Sequence, residues 1–458
     1  MNRSQFPKKK KWFKIVVCGV SWALNEMGIA ADKRGFSIIP LLVLSFVAIL
    51  CQKSLAISTF NHTNYKQISS LRQARIQRHL DKINKPPVLT IESPDGDIID
   101  CVHKRRQPAL DHPLLKHHKI QRVASKMPKG VKMDDKSNRS RSVDGFRGVW
   151  QMWHQKGQLC PKGTVPIRRS AMQDVMRAKS LYDFGKKSPQ FLPLASTAAA
   201  PDIAGSGHEH AIAYTTSSDE IYGAKATINV WDPAVEHSNE FSLAQIWVLS
   251  GSFDGSDLNS IEAGWQVSPE LYGDSRPRLF TYWTSDVYEA TGCYNLLCSG
   301  FIQTNSRIAI GAAISPVSSV AGDQYDITIL IWKDPKLGNW WLGFGDSTLV
   351  GYWPAELFTH LSDRASMVEW GGEIVNSRAG NQHTSTQMGS GRFAQEGFAK
   401  ASYFRNLEIV DSDNSLISAR DITTLAENSN CYNIQSSYND QWGTNFYYGG
   451  PGRNTLCP

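Results

Sequence analysis

The sequence predicts an all-β protein: an antiparallel β-sandwich preceded by a small basic α+β segment. Three observations carry this expectation. From about His208 to the C-terminus, short alternating apolar and polar runs recur between breaks of Gly, Pro, Asp, Asn and Ser, without long helical periodicity. Residues 1–199 hold 36 Lys and Arg against 13 Asp and Glu, a net +23, whereas residues 200–458 hold 13 against 29, a net −16. Ten of the 14 tryptophans lie in that acidic part. Alternating strands bearing Trp and Tyr argue for a sandwich or barrel. The charge split argues for two units with different jobs. The boundaries expected are 1–56, 57–200 and 201–458.

The first segment contains an apolar run, Phe36 to Leu50, shorter than the roughly 20 residues a membrane span needs. Lys33 and Arg34 precede it, and Ser54-Leu55-Ala56 offers small residues at a cleavage spacing, so it reads as a secretory signal peptide cut after Ala56. About 30 residues, including the Lys8–Lys11 cluster, stand in front of it. Either translation begins nearer Met27, which is the favoured reading, or the run is kept as a signal anchor. A membrane is a partner only in the second case.

The basic segment opens with Ser69 to Asn84, where Leu71, Ile76 and Leu80 recur at helical spacing ahead of Pro86-Pro87. Val88–Ile91 and Ile98-Ile99 flank the turn Ser93-Pro-Asp-Gly96, which predicts two short strands. Lys116 to Arg147, dominated by Lys, Arg, His and Ser, is expected to be exposed and poorly ordered. Lys186 to Gly207 reads as a linker. Neither zinc-finger spacing nor an aromatic-basic RNP-like strand occurs, so nucleic acid is not expected as a partner. The acidic half of the same chain is the simplest partner for the basic half.

Strands are expected at Ala224–Trp231, Phe241–Leu249, Ser260–Val267, Arg278–Trp283, Arg307–Ile314, Tyr325–Trp332, Asn339–Phe344, Met367–Val375 and Tyr403–Val410, with a helical turn or two near Pro354–Asp363. Six cysteines remain after removal of the segment holding Cys18 and Cys51. Six allow fifteen connectivities, which arithmetic cannot separate. Least conflict comes from pairing Cys293 with Cys298, Cys431 with Cys457, and Cys101 with Cys160. Asn61 and Asn138 head glycosylation sequons.

Two of the strands carry glutamates beside glycine. Alternation puts Ile261, Ala263, Trp265 and Val267 on one face and Glu262, Gly264 and Gln266 on the other. Likewise Glu369, Gly371 and Glu373 oppose Val368, Trp370, Gly372 and Ile374. Glycine in a strand marks close approach of a ligand or a backbone, and paired carboxylates can divide acid and base roles. Spacing alone favours two ordinary surface glutamates. Other chemistries are missing, however: there is no G-x-S-x-G elbow, no P-loop and no Asp-Thr/Ser-Gly pair. His208-Glu209-His210 places two histidines on one strand face but is not H-E-x-x-H, so no metal or other cofactor is expected there.

Seven ordered motifs then point to one family: Asp111-His-Pro-Leu-Leu-Lys116, Glu262-Ala-Gly-Trp-Gln-Val267, Pro269-Glu-Leu-Tyr-Gly-Asp274, Cys293-Tyr-Asn-Leu-Leu-Cys298, Trp370-Gly-Gly-Glu-Ile374, Gln387-Met-Gly-Ser-Gly391 and Tyr448-Gly-Gly-Pro-Gly-Arg453. The chain resembles the neprosin family of plant secreted proteins, over roughly 95–120 and 208–458. The resemblance implies a β-sandwich glutamic peptidase made as a zymogen, acting without metal and cleaving after proline in acid, in the apoplast, cell wall or vacuole. It implies a catalytic pair at Glu262 and, in the Trp-Gly-Gly-Glu segment, Glu373, with Glu369 as fallback. Gln266 is a candidate for holding water or oxyanion. Tyr282 is the favoured proline contact over Trp265, Trp283 and Trp370, of which Trp265 and Trp370 alternate away from the glutamates. The implied partners are a proline-containing polypeptide and the chain's own prosegment. The alternative is a non-catalytic sandwich binding cell-wall polysaccharide or protein; a glycoside hydrolase suits paired carboxylates but not the motifs.

Overall fold

The computed structural model describes residues 70–131, 151–154, 157–187, 207–215, 220–252, 257–345, 348–378 and 382–458. The apolar run, its cleavage site, Asn61 and Asn138 lie outside them. The chain divides into Met1–Arg72 and Gln73–Pro458; the architecture below is that of the second unit, apart from the opening residues of the first helix.

Residues 70–83 are helical (α1), as the spacing predicts. Ile76, Leu80 and Ile83 bury against Val175 of a second short helix (α2, Met172–Arg177) and against Phe184. β1 (Pro87–Glu92), β2 (Ile98–His103) and β3 (Thr164–Arg168) form a three-stranded antiparallel sheet. The Ser93–Gly96 turn joins the first two, and Gly96 has φ +93°, a value open to glycine without steric cost.

The acidic half contributes two larger sheets. The first runs β16 (Ile422–Ala426), β4 (His208–Thr215), β13 (Met367–Val375), β6 (Ser242–Ser250), β7 (Asn259–Val267), β8 (Arg278–Thr284). The second runs β17 (Asn433–Asn439), β18 (Gly443–Gly449), β14 (Ser402–Val410), β5 (Gly223–Asn229), β10 (Asp326–Lys333), β11 (Trp340–Phe344), β12 (Thr348–Trp353), β9 (Ile302–Gln303), with β15 (Leu416–Ser418) beside β14. The fold is thus the antiparallel β architecture expected.

Ile261, Ala263, Trp265 and Val267 of β7 and Val368, Trp370 and Ile374 of β13 join one buried cluster with Ala224, Ala226 and Ile228 of β5 and Ile327, Ile329 and Ile331 of β10. That cluster is the sandwich interior. Burying one such aliphatic side chain contributes about 1.5–3 kcal/mol, and a one-residue slip would drive Glu262, Gln266, Glu369 and Glu373 into it. The apolar pattern therefore locks the register that aims the glutamates outward. Trp265 and Trp370 are core, as alternation requires, and so is Trp283.

Three disulfides join Cys101 to Cys160, Cys293 to Cys298 and Cys431 to Cys457, the arrangement of least conflict. Three expectations need correction. Arg307–Ile314 is not a regular strand: it makes single bridges to Gln151, Ile167 and Arg278 around Gly311 at φ +86°. Its backbone is satisfied piecemeal, as where Gln303 Nε2 donates to Ile308 O (2.6 Å).

The second correction concerns the Lys116–Arg147 stretch, which is not simply exposed. His118 Nε2 lies 2.9 Å from the Tyr352 hydroxyl, which also accepts from the Gln121 N–H. Asp334 accepts from Gln121 Nε2 (2.5 Å), the Ser125 N–H (2.7 Å) and the Ser125 hydroxyl. Lys129 pairs in parallel with Ser415. Residues 132–147 lie outside the described residues. The third is the Lys186–Gly207 linker: Lys187 is deeply buried, while 188–206 lie outside the described residues.

Candidate active site

The outer face of the six-stranded sheet carries Ile212, Leu243, Trp247, Leu249, Phe280 and Tyr282, covered by Tyr288 and Tyr294. Among these aromatic groups sit the glutamates. Glu262 lies directly across from Trp247 on one side and Tyr282 on the other. Glu369 also faces Trp247, from β13, while Glu373 faces Leu243 and His210. Gln245 stands in β6 between the two glutamate strands, opposite Gly264 and Gly371. Both glycines are tight. A Cβ on Gly264 would lie 1.9 Å from Ala244 O, and one on Gly371 would lie 2.3 Å from Ala211 O. The missing side chains make room for neighbouring backbone, not for a ligand.

Glu262 and Glu373 are fully buried, in contrast to the surface position that spacing alone favours. One cation joins them: Lys187 Nζ lies 3.2 Å from Glu262 Oε2 and 2.9 Å from Glu373 Oε2. Its N–H donates to the Tyr282 hydroxyl (3.3 Å), and its ammonium lies 5.6 Å from the Tyr288 ring centre and 6.0 Å from that of Trp247. Burial alone would depress the lysine pKa, but the charges of Glu262 and Glu373 outweigh it and raise it above the ordinary value.

The two carboxylates have different surroundings. Glu262 Oε1 accepts from the Tyr288 hydroxyl (2.8 Å) and Ser260 Oγ (3.0 Å), and its Oε2 accepts from Gln245 Nε2 (2.9 Å). Tyr288 is delivered by a turn in which Val287 has φ 56° and Tyr288 φ 65°. A β-branched residue there is strained, and such strain clusters at functional sites. Glu373 Oε1 is 2.6 Å from His208 Nδ1 and 4.0 Å from His210 Nε2. Burial would raise the Glu373 pKa, but Lys187, then the bond to His208, hold it well below the carboxylate range. Among the described residues Glu369 is not reached by Lys187, and burial, outweighing the lowering charge of His210, pushes it up to about 7. Two carboxylates on one cation can share a water and a proton when the cation leaves, dividing base and acid roles.

The sequence-derived residues thus separate. Glu262, Glu373 and Tyr282 come together. Gln266 does not join them: its Nε2 donates to the Tyr272 hydroxyl (2.7 Å), in a row two strand spacings, roughly 9.5 Å, from Glu373. Gln245, by contrast, lies between the two glutamate strands and donates to Glu262 Oε2. Its signal was available, because alternation within Phe241–Leu249 leaves one amide between Leu243 and Trp247. Among the described residues one tight group of metal-ligand types occurs, His383 with Cys431 and Cys457, and its sulfurs are bonded to each other.

The basic segment also grips the acidic half through carboxylates. Arg278, buried in β8, pairs with Asp97 of the basic segment (2.5 Å) and with Asp274 (2.7 Å). Arg168 of β3 pairs with Asp97 as well (2.8 Å).

Fold and site together define an antiparallel β-sandwich whose buried acidic centre is closed by a cation from its own N-terminal half. Residues 238–451 match the Neprosin family, and residues 90–214 match the Neprosin activation peptide. The chain belongs to the neprosin family and is a peptidase precursor with its own activation peptide as intramolecular inhibitor. Among solved structures it is similar to scytalido-glutamic peptidase with a peptide-based transition state analog, at 12% identity and TM-score 0.28, over 54% of this chain and 98% of that one. It is also similar to SCP-B, a member of the Eqolisin family, in complex with the tripeptide Ala-Ile-His, at 12% identity and TM-score 0.27, over 53% and 97%. The Ruminococcus gnavus IT-sialidase CBM40 follows at 12% identity and TM-score 0.19, over 37% and 91%.

Proposed function

We propose that the chain is the zymogen of a secreted glutamic endopeptidase, extracellular or vacuolar, that cleaves after proline in acid. Glu262 and Glu373 are the proposed catalytic pair and Lys187 is the prosegment group that blocks them. The observation that carries this reading is the double contact of Lys187 Nζ with both Oε2 atoms. Oxygens that touch one nitrogen at 3.2 and 2.9 Å are no more than about 6 Å apart, so a single water can bridge them once the ammonium has gone. One ionised carboxylate takes a proton from that water as it attacks the scissile carbonyl. The other, protonated, polarises the carbonyl oxygen, and the leaving amine is protonated as the C–N bond breaks.

Trp247 and Tyr288 lie beside the Lys187 ammonium and Tyr282 accepts from its backbone N–H, and flat rings of this kind suit a pyrrolidine ring. Acid would release the prosegment, because its charged clasps, Lys187 on Glu262 and Glu373, Arg278 on Asp97, and Gln121 and Ser125 on Asp334, depend on carboxylates while Lys187 itself stays charged. The test is hydrolysis of proline-containing peptides in acid by the activated chain and by Glu262→Gln and Glu373→Gln. Loss in both variants is the expected result. Unchanged cleavage in either removes that residue from the pair, and no cleavage by the unsubstituted chain favours a sandwich that only binds.

A further inference from the structure

His208-Glu209-His210 has no place in the reaction as described so far, yet both histidines border Glu373. His210 sits directly across from Glu373 in the β4–β13 ladder. Behind it stands Glu427, the residue after β16, whose carboxylate accepts the His210 N–H (2.5 Å) and lies 3.0 and 3.2 Å from Nδ1. The ring is therefore held from one side, and its Nε2, buried and without a hydrogen-bond partner among the described residues, points at Glu373 Oε1 from 4.0 Å. Trp247 packs edge-on against the same ring at 6.3 Å.

We propose that Glu427 and His210 form a positioning relay that keeps an imidazolium beside Glu373, so that Glu373 is the ionised base and Glu262 carries the shared proton. The inference rests on the carboxylate pair proposed above. Burial would strip the proton from His210, but the charge and hydrogen bond of Glu427, followed by the charge of Glu373, outweigh it and raise its pKa to about 9. Among the described residues the groups facing Glu373 include Lys187 from the prosegment, His208 and His210 from β4, Glu262 from β7, Glu369 on its own strand, and Tyr288 and Tyr294 from the turns after β8. When Lys187 departs, the imidazolium remains on the Glu373 side. Among the described residues the other donors to Glu262, namely Ser260, Tyr288 and Gln245, are neutral.

The assignment gives a balanced reaction. Glu373 takes a proton from water as the oxygen bonds to the carbonyl carbon, and Glu262 gives its proton to the carbonyl oxygen. When the C–N bond breaks, the proton on Glu373 passes to the amine nitrogen and a hydroxyl of the intermediate returns a proton to Glu262. Products are an acid and an amine, with both carboxyls restored.

The test uses the full chain activated in acid, with an internally quenched proline-containing peptide. His210→Asn and Glu427→Gln should raise the acidic limb of the kcat/KM profile by about one to three pH units, as loss of a cation within 4–6 Å of a carboxylate does. At low pH kcat should fall while KM holds. Glu427 is partly exposed at the rim, so its variant carries the test should His210→Asn fail to fold. An acidic limb that stays in place in folded Glu427→Gln overturns the relay. If Glu262→Gln and Glu373→Gln also keep activity, the carboxylate pair has failed; if they are inactive, only the relay has.

Discussion

Glu369 and Glu373 stand four residues apart on one face of β13, and Lys187 contacts Glu373 alone of the two. The same burial therefore has opposite results: Glu369 rises to about 7, and Glu373 is held low by the ammonium. Strand alternation cannot separate these residues. A cation arriving from the prosegment does. At acidic pH Glu369 is protonated, and Glu369→Gln copies its neutral form. That variant should keep activity within about twofold of the unsubstituted enzyme. Glu373→Gln should lose about 10²–10⁴-fold, the usual worth of a positioned acid–base group. Equal losses in the two would give Glu369 a part in the reaction.

Lys187→Met keeps much of the stem and removes the charge, leaving Glu262 and Glu373 buried side by side without their shared partner. Breaking a buried ion pair from one side costs about 3–5 kcal/mol. The precursor should melt at a lower temperature at neutral pH and hydrolyse peptide substrate before any acid step. Calorimetry and a fluorogenic assay on intact precursor check both. Unchanged melting with a silent site would mean that the lysine does not hold the precursor shut.

Acid release has a sign that follows from Asp334, which Gln121 and Ser125 of the basic segment clasp. Burial would raise this carboxyl, but the bonds from Ser125 and Gln121 of the basic segment, with the Lys336 N–H, outweigh it and leave it below the ordinary 3.8. A depressed carboxyl adds docking stability in full above its undocked pKa and loses it as pH falls through the docked one. The window thus lies below about pH 4. Asp334→Asn cannot accept all three Gln121 and Ser125 bonds, so docking should weaken by about 1 kcal/mol at neutral pH. Its release midpoint should move to higher pH, as followed by size-exclusion of the precursor across a pH series. A midpoint that moves lower would reverse the sign.

Much of the sandwich was legible because strand periodicity is strict and apolar volume is expensive to expose. Ile261 to Val267 and Val368 to Ile374 sorted themselves into inner and outer faces without any tertiary information. The groups that surround the glutamates obey no such local rule. Lys187 reaches Glu373 across 186 residues, and His210 reaches Glu427 across 217. Tyr288 arrives on a turn whose φ values its own propensity and that of Val287 oppose. The Arg307–Ile314 run misled because alternation describes burial, and burial was achieved there without a ladder. Residues 116–131 misled in the other direction, since charge composition hides contacts made one side chain at a time.

Gly264 tests whether the glycines by the glutamates serve the backbone or a ligand. Its missing Cβ would lie 1.9 Å from Ala244 O and 2.6 Å from Gln245 Cα, atoms of the neighbouring strand that cannot move without unseating Gln245. Gln245 in turn donates to Glu262 Oε2. Gly264→Ala should therefore force β6 and β7 apart, costing more than about 4 kcal/mol, the range reserved for severe core and backbone damage. Its yield of folded precursor should collapse. If instead the glycine cleared room for substrate, the variant would fold normally, melt like the unsubstituted chain and show only a raised KM. Melting temperature and KM measured on the same preparation separate these outcomes.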